Sequence, residues 1–169
     1  FPQVSINLYS GKDWMTDHLD QWSQEEARIT GEKPLILPLL DPLLDTTKPL
    51  HKLLLIGEAE EIQALYRAIS TDDFPSTAFY LSKANYLEVT AKHVSKEDAL
   101  VELANHYHLN LEEVLTLGDN FNDLPMLKKA GIGVTMGNAP QEVKDEAAVV
   151  TKTNNENGAG QAVETYVLI

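Results

Sequence analysis

Along the chain the apolar positions switch between a period of two and a period near 3.6, and the switches mark the elements. Val4, Ile6 and Leu8 alternate with Ser5, Asn7 and Tyr9 before Gly11, the pattern of a half-buried strand. From Lys12 to Arg28, Trp14, Leu19, Trp22 and Ala27 recur at irregular helical spacing in a polar segment that Gly31 closes, which predicts a helix. Pro38, Pro42 and Pro49 each lack a backbone donor, so the Leu-rich run from Pro34 to Pro49 reads as strand fragments and loop, with a long helix excluded. Lys52 to Ile56 reads as a buried strand, and Glu58 to Ser70 as an amphipathic helix with Ile62, Leu65, Tyr66 and Ile69 on one stripe. Thr77 to Leu81 and Tyr86 to Thr90 read as two strands joined across Ser82-Lys83-Ala84-Asn85, a hairpin-length connection. Residues 1–90 therefore predict a small α+β unit.

After Thr90 the pattern becomes an alternation of helix and strand. Ser95, with Asp98 three residues on, has the form of a capping box, and Ala99, Leu100, Leu103, Ala104 and Tyr107 continue a helical stripe. Strands are expected over Val114 to Leu117, Ile132 to Met136 and Ala148 to Thr151, with helices over Leu124 to Ala130, Pro140 to Ala147 and Gly160 to Leu168. Such alternation is the signature of a parallel sheet covered by helices, so the fold class expected for residues 91–169 is α/β.

The turn after the strand ending at Leu117 carries the candidate chemistry. Asp119 sits just beyond a strand's carboxyl end, where open α/β sheets bind ligands, and Asn122 and Asp123 follow within one turn. Two readings stand on spacing alone: a solvated turn whose Asp and Asn cap the next helix, or a site for a hard cation such as Mg²⁺, which takes oxygen ligands and bridges to phosphates. A calcium loop is excluded, because Phe121, Leu124 and Ala130 occupy three of its required positions. Gly131, Gly133 and Gly137 do not make a dinucleotide fingerprint, since Met136 stands where its third glycine belongs. Lys96 falls in the first turn of its helix, where a cation opposes the dipole at a cost of a few tenths of a kcal/mol that solvent exposure reduces.

Composition narrows the partners. The chain has 169 residues, 43% of them hydrophobic, enough for a packed core. With 26 acidic and 13 basic side chains its formal charge is −13, which opposes a nucleic-acid backbone or an anionic membrane surface, so neither is an expected partner. No apolar run approaches the roughly 20 residues of a membrane span, and the apolar positions near the start alternate, unlike a signal peptide; a cytoplasmic location is expected. The absence of cysteine removes disulfides, thiolate zinc sites and a thiol nucleophile from consideration.

Val94-Ser95-Lys96, Gly118-Asp119-Asn120-Phe121-Asn122-Asp123, Met126-Leu127 and Gly137-Asn138-Ala139 together resemble the Cof-type branch of the haloacid dehalogenase-like phosphatases. The resemblance covers most of the chain from Tyr86 onward, and it makes residues 91–169 look like the C-terminal half of a Rossmann-like core and residues 1–90 like that branch's substrate-covering cap. It implies that Lys96 contacts the phosphoryl group and an aspartyl nucleophile, Asp119 ligates Mg²⁺, Asn122 reaches the substrate phosphate, and Asp123 supports the site and is the metal's second ligand among these residues, with the missing N-terminal carboxylates supplying more. Asn154, ahead of Asn157-Gly158, resembles a later phosphate-side loop in which an Asp usually precedes the glycine, and Glu97 stands where a glycine often follows the lysine.

One departure is larger. The family's nucleophile and its acid/base partner lie in an N-terminal D-x-D-G-T element, and these residues contain no D-x-D. The chain also opens on Phe1-Pro2 without an initiator methionine. The expectation is therefore a C-terminal piece, inactive alone, of a Mg²⁺-dependent hydrolase of small phosphorylated metabolites that works through an aspartyl phosphate, its partner being the missing N-terminal half of the core. The competing expectation is a non-catalytic module that binds or senses phosphorylated metabolites. Tyr9, Trp14, His18 and Trp22 are candidates for a sugar or base pocket, each with packing or a plain polar surface as its simpler role, and His93 is the histidine nearest Lys96 in sequence.

Overall fold

A computed structural model describes residues 1–69 and 73–168, which fall into two compact units, Phe1–Lys92 and His93–Ile169. In the first, β1 (Ser5–Ser10), β2 (Asp13–Thr16), β3 (Leu35–Ile36), β4 (Lys52–Ile56), β5 (Thr77–Lys83) and β6 (Tyr86–Ala91) form one sheet in the order β3-β2-β1-β4-β6-β5. All neighbours are antiparallel except β2 and β3. Helices α1 (Gln21–Thr30), α2 (Leu40–Leu44) and α3 (Ala59–Ala68) lie between strands in the chain. Ser70, the expected last residue of α3, lies outside the described residues.

The helix expected from Lys12 to Arg28 is corrected: its first part is β2, paired with β1 through Asn7↔Thr16 and Tyr9↔Trp14. Trp14, Met15 and Thr16 are buried in succession, and three consecutive buried residues suit a strand covered on both faces better than a one-sided helix. The helix begins only at Asp20, whose carboxylate accepts the Ser23 backbone N–H at 2.7 Å while the Ser23 hydroxyl accepts the Asp20 N–H.

The alternation in β1 also needs revision, for Ile6 is 40% exposed while Asn7 is fully buried. Burial of Asn7 is tolerated because its amide is satisfied. Its Oδ1 accepts from Trp14 Nε1 at 2.9 Å, and its Nδ2 donates to Ser5 Oγ and to the Leu54 carbonyl. Trp14 is therefore a core residue, with Tyr9 stacked on it at a ring separation of 6.2 Å. In the proline-rich run, α2 accommodates Pro42 because that residue falls in the first turn, where a backbone N–H has no helical partner to lose.

The second unit contains α4 (Lys96–His106), β7 (Leu115–Gly118), α5 (Leu124–Lys129), β8 (Ile132–Thr135), α6 (Gln141–Asp145), β9 (Val149–Val150) and α7 (Gly158–Tyr166). Its strands are all parallel, in the order β7-β8-β9, as the alternating pattern predicts. Leu100, Ala104, Leu127, Val134, Val143 and Ala162 are its buried apolar residues from sheet and helices. A parallel sheet places every strand's carboxyl end at the same edge. The turns after Gly118, after Thr135 and after Val150 are thus brought together, with Gly118 paired to Thr135 and Thr135 to Val150. Among the described residues, no helix is long and apolar enough to cross a membrane.

Candidate active site

The site is assembled from these three turns and the start of α4. Ser95 caps α4 by accepting the Asp98 backbone N–H at 2.9 Å, and its own hydroxyl donates to the Asp98 carboxylate at 2.6 Å. That cap fixes where the first turn begins and hence where Lys96 stands. Lys96 Nζ forms an ion pair with Asp123 Oδ1. The Asp123 side chain is 4% exposed and that of Lys96 51%, so one end of the pair is buried and the other faces solvent. Glu97 pairs with Lys129 of α5 at 3.2 Å, a contact that ties α4 to the helix following the turn.

Asp123 organises the turn as well as the lysine. Its Oδ2 accepts the backbone N–H groups of Asp119 at 2.8 Å and Asn120 at 3.0 Å. A buried carboxylate needs such partners, since charge-assisted hydrogen bonds to N–H groups offset its desolvation. Gly118 is what lets the turn close: a Cβ there would lie 2.4 Å from Asp123 Cβ and 2.8 Å from its Cγ. No side chain fits at that distance.

Asp119, expected as a metal ligand, is the outward carboxylate of the turn. Its Oδ2 accepts from Asn138 Nδ2 at 3.2 Å, across from the neighbouring strand end, and Asn138 Oδ1 in turn accepts the Asn154 backbone N–H at 3.0 Å. Asn154 thus joins the cluster through its main chain. The loop it opens is held by Glu156, whose carboxyl is kept below its usual pKa by hydrogen bonds from the Thr153 hydroxyl and backbone N–H. Asn122 lies in the same turn as Asp119, and its Oδ1 is buried without a hydrogen-bond partner. The structure brings Lys96, Asp119, Asp123 and Asn154 into one hydrogen-bonded network. His93 is exposed and makes none of the bonds that join that network. Asn138 was not singled out as a site residue from the sequence; the usable signal was its place beyond the strand next to the one that carries Asp119.

The donor chemistry fits a hard cation in part. Asp119 offers a carboxylate and Asn122 an orphaned amide oxygen, both suited to an ion that takes oxygen ligands and retains water. Asp123, the other expected ligand, has Oδ1 engaged with Lys96 and Oδ2 with two N–H groups. Among the described residues, no group of three or more His, Cys, Asp or Glu side chains is arranged to hold a metal. These residues supply a partial ligand set.

A parallel α/β unit whose strand-end turns gather a helix-start lysine and two aspartates defines a class, and the sequence comparison agrees with it. The chain belongs to the haloacid dehalogenase-like hydrolase family, whose model matches residues 2–163. A Haemophilus influenzae protein named "Putative phosphatase" is 39% identical over 164 residues, covering 96% of this chain and 60% of the relative. The HMP-PP phosphatase of Yersinia enterocolitica is 30% identical over 143 residues, covering 85% of this chain and 51% of the relative. Among solved structures, a haloacid dehalogenase-like hydrolase from Bacteroides thetaiotaomicron superposes with a TM-score of 0.77 at 32% identity, over 96% of this chain and 60% of that one. The chain therefore spans between about half and 60% of the length of these relatives.

Proposed function

We propose that the protein carrying this chain is a Mg²⁺-dependent phosphomonoester hydrolase acting on small phosphorylated metabolites. The observation that carries the reading is the Lys96–Asp123 ion pair joined through one turn to the outward carboxylate of Asp119, in a member of a hydrolase family. Relatives named as phosphatases support the phosphate ester as substrate class.

In this reading Lys96 neutralises charge on the phosphoryl group, held in place by a buried carboxylate so that no reorganisation is needed as charge develops. Asp123 is a positioning group. Asn122 donates its amide to a phosphate oxygen without adding charge, and the Asn154 loop borders the same position. Asp119 would hold Mg²⁺, which when bound would supply Lewis-acid stabilisation of phosphoryl oxygens. The attacking carboxylate and its acid/base partner belong to residues outside these 169, since no D-x-D occurs among them. Attack on phosphorus forms an aspartyl phosphate and expels the alcohol, and water then cleaves the P–O bond to regenerate the carboxylate. Residues 1–90 act as the cap that selects the substrate.

A second reading, a phosphometabolite-binding module without turnover, is favoured by the same missing D-x-D. A panel of sugar phosphates, nucleotides and cofactor phosphates separates the two. The intact protein should release inorganic phosphate from at least one of them with Mg²⁺ present and stop when EDTA is added. Binding of panel members without any phosphate release would establish the module instead.

A further inference from the structure

The loop after β8 presents one side chain to two other parts of the site. Its backbone is fastened on every side: Met136 N–H donates to the Gly118 carbonyl at 2.9 Å, Gly137 N–H to the Lys152 carbonyl at 3.0 Å, and Ala139 N–H to the Met136 carbonyl at 3.0 Å. Lys144 Nζ adds a bond to the Gly137 carbonyl at 3.2 Å. Gly137 is itself wedged against the next strand end, where a Cβ would stand 3.0 Å from backbone atoms of Thr151, Lys152 and Thr153. The loop therefore delivers Asn138 from a fixed platform, although the side chain is exposed.

Both ends of the Asn138 amide are spoken for, and the two bonds fix which way it faces. The contact with Asn154 is made by its backbone N–H, a donor, so the amide oxygen must point there, and the NH₂ must then meet the Asp119 carboxylate. A flipped amide would set oxygen against carboxylate and NH₂ against N–H, losing both bonds. An aspartate at this position would keep the Asn154 bond but place a second carboxylate against Asp119. The requirement is for a group that accepts at one end and donates at the other.

We infer that Asn138 is a positioning residue for metal binding: it holds Asp119 Oδ2 and so fixes the carboxylate of an exposed residue, leaving Oδ1 for the cation. The inference rests on the reading of Asp119 as the cation's ligand. A carboxylate on an exposed turn otherwise rotates freely, and partners that orient a ligating carboxylate are typically worth 10- to 100-fold in metal affinity or activity. Through Asn154 the same amide links the metal side of the site to the loop after β9.

The test is Mg²⁺ titration of the intact protein by calorimetry, for the wild type, Asn138→Ala, Asn138→Ser and Asp119→Asn, with melting curves taken without metal. Serine is included because its hydroxyl is too short to reach both partners yet perturbs the loop least. Asn138→Ala and Asn138→Ser should each weaken Mg²⁺ binding about 10-fold. Their kcat should return to the wild-type value at saturating Mg²⁺ with substrate KM unchanged, a split that a general loss of structure does not produce. Asp119→Asn should abolish the binding. If Asp119→Asn removes Mg²⁺ binding and both Asn138 variants bind like the wild type, the inference is overturned and the metal site stands. A fall in kcat that Mg²⁺ does not restore would overturn it too. If Asp119→Asn leaves binding unchanged, the assignment of Asp119 itself fails.

Discussion

Produced on its own, the chain of residues 1–169 should not turn over p-nitrophenyl phosphate with Mg²⁺, while a longer reading frame that adds a D-x-D-G-T strand should. Lys96 can stabilise charge, but a lysine paired to Asp123 supplies neither the carboxylate nucleophile nor its acid/base partner. Asp123 cannot stand in, because both its oxygens are engaged and its side chain is 4% exposed. Asp119 is tied to Asn138 by one oxygen and, in the proposed reading, is committed to the metal. General acid/base assistance is worth about 10²–10⁴-fold, and members of a catalytic unit lose most of their value when one is missing. The sheet adds a structural consequence. Among the described residues β7 is an edge strand with β8 as its one neighbour, and an open strand edge is a template for pairing with another chain. The isolated chain should also self-associate as concentration rises, measured by light scattering. Comparable Mg²⁺-dependent rates for short and long forms, lost in Lys96→Ala of the short form, would place the nucleophile within these residues.

The second large effect is expected at Asp123. Asp123→Ala removes the partner of Lys96 and the acceptor of the Asp119 and Asn120 N–H groups in a single step. Losing one partner of a buried pair costs 3–5 kcal/mol when the remaining charge is stranded, but Lys96 is half exposed and rehydrates. Three lost hydrogen bonds, partly replaced by water at the exposed turn, bring the expected destabilisation to about 2–3 kcal/mol. Activity in the intact protein should fall by about 10³-fold or more, since the lysine loses its anchor and the Asp119 turn loses its backbone template. Urea unfolding and a phosphate-release assay measure the two halves. Unchanged stability with unchanged activity would mean that the turn is held by something other than Asp123.

Much of the architecture was legible because local pattern and final burial agree. Lys52 to Ile56 is an uninterrupted apolar run after its first residue, and it became β4 over those same residues. The alternation after Thr90 gave the three parallel strands within a residue or two of their ends, and Ser95 was recognisable as a cap from its side chain and position alone. The first hairpin was not legible, because β2 is buried on both faces and its aromatic and polar residues mimic irregular helical spacing. Nor did the pattern show Asn7 going inside: a buried amide becomes affordable only when Trp14 Nε1, Ser5 and the Leu54 carbonyl arrive from three places in the chain.

The candidate site divides in the same way. Asp119 and Asp123 were visible from a strand end followed by a turn, which is local information. Lys96 lies 27 residues from Asp123, and nothing in spacing links them; the family resemblance nominated the lysine, and the cap of α4 with the Glu97–Lys129 contact explains how it gets there. Asn138 was visible only as part of a motif. Its partners come from two other turns, so its contacts exist only once the parallel sheet has aligned three strand ends.

In the proposed function Lys96 and its anchored turn form the phosphoryl site. That role is tested most directly by the steady-state kinetics of Lys96→Ala in the intact protein, with Mg²⁺ saturating and the melting temperature measured alongside. Loss of one preorganised charge-stabilising donor predicts a kcat lower by about 10²–10³-fold with the fold retained. A Lys96→Ala protein that is folded, binds Mg²⁺ and hydrolyses its best substrate at the wild-type rate would contradict the account.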